Sequence, residues 1–230
     1  ASDLAASVHD RGLVISDMFL TPAKDFYTLA SNHPDASERQ KSREIFLRTL
    51  DLTVRCEARH VTALPGASFT EVTADENLVR AAEELAWRVE ESAKADVVFA
   101  VEPHIGSIIP TPETTQSLLD RTPGLTLSLD WAHMSSEGIP DADIEPLLAR
   151  TSHFHARCAR PGRLQAPLKE NTIDFRRILE LLSGQGYGGA FAVEYVWIEW
   201  QDCNQVDNVS ESILLRDLLR GIAAELDWEG

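Results

Sequence analysis

The stretch VVFAVEPHIGSIIPTPETTQSLLDRTPGLTLSLDWAH, residues 97–133, reads as strand, helix, strand. Its two apolar runs are short, rich in Val, Leu and Phe, and each meets a carboxylate at its end, Glu102 in the first and Asp130 in the second. Between them, ThrProGluThrThr from Thr111 carries the start signals of a helix, and QSLLDRT continues it with helical spacing. A strand, a helix and a second strand of the same kind make up the unit from which parallel sheets with crossover helices are built.

Four further runs extend the pattern: LVISDMFL from Leu13, HVTALPG from His60, SHFHARCA from Ser152 and AFAVEYV from Ala190. Helical segments alternate with them. ThrAlaAspGluAsn from Thr73 leads into LVRAAEELAWRVEESAKA, IDFRRILELLSGQGYGG runs into glycines that stop it, and NVSESILLRDLLRGIAAEL is a long amphipathic helix. No low-complexity linker or short-period repeat interrupts the chain, so residues 1–230 are expected to form a single domain. Six strands fit an open six-stranded sheet or an eight-stranded barrel that lacks two, and periodicity does not choose between them. Both architectures build their sites at the carboxyl ends of the strands, and the polar residues fall there.

Of the 230 residues, 43% are hydrophobic, enough for one large core. No run approaches the roughly 18 consecutive apolar residues of a membrane helix, and ASDLAASVHDRG lacks the regions of a signal peptide. Cys56, Cys158 and Cys203 lie far apart with no CxxC pair, which fits a reducing compartment. The expectation is a soluble, cytoplasmic protein with no membrane partner. The net charge of −16, from 37 acidic and 21 basic residues, opposes a nucleic-acid partner in the absence of a basic cluster.

Glu102, Asp130, His155 and Glu194 end four successive runs, so four parallel strands would each deliver one ligand-type side chain to the same rim. Converging carboxylates repel one another, whereas a divalent cation neutralises them and keeps them ionised. Mixed oxygen and imidazole ligation suits one divalent metal ion, Mn, Mg, Co or Zn. Any one of the four taken alone reads as readily as a helix cap, a surface charge or a core histidine.

His133 and His104 follow Asp130 and Glu102 closely enough to contact a substrate hydroxyl, or else sit as loop histidines. Arg157 shares the facing of His155 and either holds an oxyanion or phosphate or pairs with a carboxylate. His153 reads as inner packing. Trp131, Trp197 and Trp200 flank the rim, as an apolar wall or as ordinary packing. None of the lysines, at 24, 41, 94 and 169, ends a strand, which argues against a Schiff base.

VEPHIGSIIPTPETTQSLLD, LSLDWAHM, HFHARCARPG and IDFRRILELLSGQGYGGAFAVEYV together resemble the xylose isomerase-like (β/α)8 superfamily of sugar phosphate isomerases and epimerases, over roughly Gly12 to Leu219. The resemblance implies an α/β fold, a (β/α)8 TIM barrel with its first two strands absent from this chain, so that 1–230 is a single TIM-barrel domain incomplete at its N-terminus. It implies one divalent metal on Glu102, Asp130, His155 and Glu194, with Glu102 and Glu194 also the catalytic acid/base pair. It also implies His133 and Arg157 as substrate-binding residues, and His104 is expected to join them from its place two residues after Glu102.

The implied chemistry is isomerisation or epimerisation of a small sugar, sugar phosphate or keto-polyol by proton transfer through a metal-stabilised enediolate. The substrate would be a small carbohydrate-like molecule, and relatives of this kind allow a homo-oligomer. The ArgCysAlaArgProGly loop after His155 departs from the Arg-Asp-Ala of many relatives. Competing readings are a metal-dependent lyase, dehydratase or hydrolase on the same site and a barrel without activity. An apurinic endonuclease fits poorly, because HARCARPGRLQAP offers no Asp-x-His pair.

Overall fold

The computed structural model describes residues 2–228. They form two compact units that meet in the chain between Leu127 and Ser128. The first unit comprises α1 (Ser2–His9), β1 (Met18–Leu20), α2 (Ala36–Arg55), β2 (His60–Ala63), α3 (Ala74–Lys94), β3 (Val98–Val101), α4 (Pro112–Arg121) and the start of β4 (Thr126–Asp130). Its strands lie side by side in chain order and are parallel throughout, Met18 opposite Val61, Ala63 opposite Val101, and Val101 opposite Leu127.

Local sequence explains where these elements begin. Thr73 caps α3 by accepting from the Glu76 N–H, and the Glu76 carboxylate accepts from the Thr73 N–H at 2.8 Å, so two orphan donors are satisfied reciprocally. Thr111 and Thr114 repeat the device at α4, with Pro112 at its first turn. Phe46, Leu85, Phe99 and Leu118 are buried in the core, the Phe46 and Phe99 rings edge to face at 5.3 Å. Glu84 joins α2 to α3: its carboxylate takes Arg43 at 2.9 Å, Arg39 at 3.3 Å and Arg88 at 3.3 Å.

The second unit comprises the end of β4, α5 (Trp131–Ser136), α6 (Asp141–Ile144), β5 (Thr151–Ala156), α7 (Phe175–Gly184), β6 (Phe191–Val193) and α8 (Asn208–Glu225). Short 3₁₀ turns fill Glu145–Arg150, Leu168–Glu170 and Trp200–Gln205. The strand order is β4-β5-β6, with β5 and β6 parallel and His155 opposite Ala192. Leu129, Met134, Ile144, Phe154, Leu182 and Leu215 are buried.

All six expected strands are present, each shorter than its run, LVISDMFL most of all, where only Met18–Leu20 is strand. LTLSLDWAH does not continue extended through Trp131. The strand ends at Asp130, whose Oδ1 accepts from the Ala132 N–H at 2.9 Å and starts α5. Asp130 therefore ends a strand and caps a helix at once, which places its carboxyl at the strand's end. No helix among the described residues is long and apolar enough to cross a membrane.

Candidate active site

In the second unit, Asp130, His133, His155, Arg157 and Glu194 come together. Asp130 stands at the end of β4, fully buried. His155 and Arg157 alternate by two along β5 and just beyond it, so both side chains leave the strand on the same face. Glu194 follows β6 directly, and its N–H donates to Ala156 O at 2.9 Å, which holds the glutamate beside the end of β5.

One nitrogen organises the cluster. Arg157 Nη2 donates to Asp130 Oδ2 at 2.6 Å and lies 3.1 Å from Glu194 Oε1. His155 Nδ1 lies 3.0 Å from Glu194 Oε2, and Asp130 Oδ2 is 3.5 Å from His133 Nε2. The sequence left Arg157 between contacting substrate and pairing with a carboxylate; in this structure it pairs with two.

Electrostatics keep both carboxyls ionised. Burial pushes Asp130 up, but Arg157, His133, His155 and the Ala132 N–H outweigh it and hold the group below the ordinary value of 3.8. Burial likewise raises Glu194, while the bond from His155 and the charge of Arg157 bring it below 4.5 against the repulsion of Asp130. Two anions thus face one guanidinium, the Glu194 side chain 30% exposed but its Oε2 buried.

Sequence reading missed Ser128. Its hydroxyl lies 3.1 Å from His155 Nε2, so the ring is held on that side and turns Nδ1 to Glu194. The available signal was the period of two in β4, which places Ser128 and Asp130 on one face. Gln165 was missed as well. Its amide nitrogen donates to Val196 O at 3.0 Å and Cys203 O at 2.6 Å, which fixes the segment after Glu194.

Trp131 is buried and donates to Asp141 at 2.8 Å, so it serves packing. Trp197 is exposed, and Trp200 lies with its ring 6.3 Å from that of His133. His153 is buried, as expected, 5.3 Å edge-on from the His155 ring.

Glu102 and His104 belong to the first unit. Glu102 follows β3, is 3% exposed, and its N–H donates to Ala63 O at 3.1 Å. His104 sits in the loop beyond, its Nδ1 2.6 Å from Ile105 O and its ring against Phe26 at 5.0 Å.

The residues of the second unit fit a divalent cation by the chemistry of their donors: two ionised carboxylates and an imidazole, with two of their oxygens already directed at a single cationic atom. The Ser128 hydroxyl supports the imidazole at its other nitrogen, where a metal-binding histidine needs a hydrogen-bond partner to fix its ring.

Comparison with known proteins identifies the family. A family model described as "Xylose isomerase-like TIM barrel" matches residues 1–218. The chain is 26% identical, over 86% of its length and 71% of the relative's, to SgbU of Escherichia coli (strain K12), whose assigned name is that of an L-ribulose-5-phosphate 3-epimerase. Among solved structures it is similar to D-psicose 3-epimerase from Clostridium cellulolyticum H10, at 16% identity and a TM-score of 0.76, covering 96% of this chain and 82% of that one. It is also similar to the IOLI protein with a binding zinc atom, at 13% identity and a TM-score of 0.74, covering 97% and 81%. The matched model spans nearly the whole chain, and the chain belongs to the xylose isomerase-like TIM barrel family.

Proposed function

We propose that this protein is a divalent-metal-dependent epimerase acting on a small ketose or ketose phosphate. The observation that carries the reading is the convergence of Asp130 and Glu194 on one cationic atom, with His155 beside them at the ends of successive parallel strands. The names of its relatives, an L-ribulose-5-phosphate and a D-psicose 3-epimerase, support the substrate class, and the zinc atom of IOLI supports the metal. Asp130, His155 and Glu194 would hold the ion, and Glu102 is proposed as the fourth ligand from its place after β3 and from the family pattern.

A bound divalent cation supplies Lewis acidity that polarises a carbonyl and so acidifies the neighbouring C–H. The chain's own residues do the rest. Glu194, held ionised, takes or returns the proton, and Glu102 is proposed to do the converse. Ser128 keeps the His155 ring in place, while His133, Arg157 and His104 are proposed to contact substrate hydroxyls.

The test is solvent deuterium. With Mn present, the protein should exchange the hydrogen at C3 of a ketose or ketose 5-phosphate in D₂O, EDTA should abolish the exchange, and Glu194→Gln should lower it by about 10³-fold or more while the protein stays folded. Metal binding without exchange on any ketose tested would move the reading to a lyase or hydrolase.

A further inference from the structure

Resting on that reading of the site, we infer that Arg157 is a built-in counter-cation that assembles the metal-free site and yields its place to the metal. The geometry is specific. A single atom, Arg157 Nη2, binds Asp130 Oδ2 at 2.6 Å and approaches Glu194 Oε1 at 3.1 Å, so it occupies the point toward which both proposed ligands direct an oxygen. Asp130 Oδ1 is committed to the α5 N-terminus through the Ala132 N–H, which leaves Oδ2 as the oxygen for any cation. That oxygen is the one Arg157 holds.

The arrangement has two consequences. Without metal, the guanidinium neutralises part of the charge of two carboxylates whose side chains are 0% and 30% exposed, and the site stays assembled instead of springing apart. With metal, the same atom stands where a divalent ion needs oxygen, and guanidinium and ion compete for it. When Asp130 Oδ2 turns to the ion, donors of Arg157 are released and become available to an oxygen-rich ligand. Substrate binding by Arg157, as proposed above, would then be coupled to metal loading through a single residue.

The experiment is a calorimetric titration of the chelator-treated protein with Mn alone, for the parent, Arg157→Gln and Arg157→Lys. Competition predicts that Arg157→Gln binds Mn about tenfold or more tightly than the parent, with Arg157→Lys between them. Equal or weaker binding by Arg157→Gln, with the parent still binding, overturns the inference and leaves the metal site standing. Absence of Mn binding in the parent and both variants overturns the metal reading itself.

A second measurement uses the unaltered chain. Phenylglyoxal labelling with peptide mass mapping should show Mn increasing modification at Arg157 relative to Arg88, a buried arginine of the first unit paired with Glu84. Unchanged or reduced labelling of Arg157 contradicts its release.

Discussion

Asp130 shows how much one side chain carries: it ends β4, caps α5, binds Arg157 and is a proposed metal ligand. Asp130→Asn keeps a good capping residue and removes only the charge, which isolates the buried pair. It should lower the stability of the metal-free protein by about 1–3 kcal/mol in urea denaturation, since Arg157 loses one of its two carboxylate partners and keeps Glu194. The pH dependence follows with a definite sign. Asp130 and Glu194 lie below their ordinary values of 3.8 and 4.5 in the folded protein, so their stabilisation is complete above about pH 5 and is lost as pH falls through the depressed values. Melting temperatures of the metal-free protein from neutral to acid pH should fall less steeply in Glu194→Gln than in the parent. The residues of this cluster were legible because strand ends are legible. Their partners were not: spacing along β5 shows that Arg157 and His155 share a face, but not that one guanidinium nitrogen reaches two carboxylates on neighbouring strands.

At the scale of elements, the six strands and the caps of α3 and α4 were readable because apolar runs and Thr-initiated helices are local signals. The limit of β4 was not. Trp131, Ala132 and His133 follow a strand without a turn residue between, and only the capping bond of Asp130 shows that the backbone has changed to helix. The approach to β6 is a clearer case. Gly186 adopts a φ of +71°, and at Gly189 an added Cβ would overlap the Ser152 carbonyl and the Tyr187 hydroxyl, which itself donates to Ala190 O at 2.8 Å. Gly189 is required there by close approach and not by backbone conformation. Gly189→Ala should destabilise the protein by about 1–3 kcal/mol through displacement of β6, measured by denaturant unfolding. Because Glu194 directly follows β6, the same variant should also weaken Mn binding.

At the scale of the whole molecule, the alternation of strands and helices conveyed a parallel α/β architecture but left open sheet and barrel, which periodicity does not distinguish. The four motif segments resolved this by resemblance, and the family match over residues 1–218 agrees. Function was legible only as a class, because strand-end residues suggest a kind of chemistry and the relatives are sugar epimerases, while spacing along the chain names no substrate. The central claim is that Asp130, His155 and Glu194 form a divalent-metal site. The most direct test is a Mn titration of chelator-treated protein, followed by elemental analysis after dialysis. Retention of one equivalent by the parent, with a raised melting temperature, and its loss in Asp130→Asn and Glu194→Gln is the predicted result; a parent that retains no metal and gains no thermal stability would contradict the account.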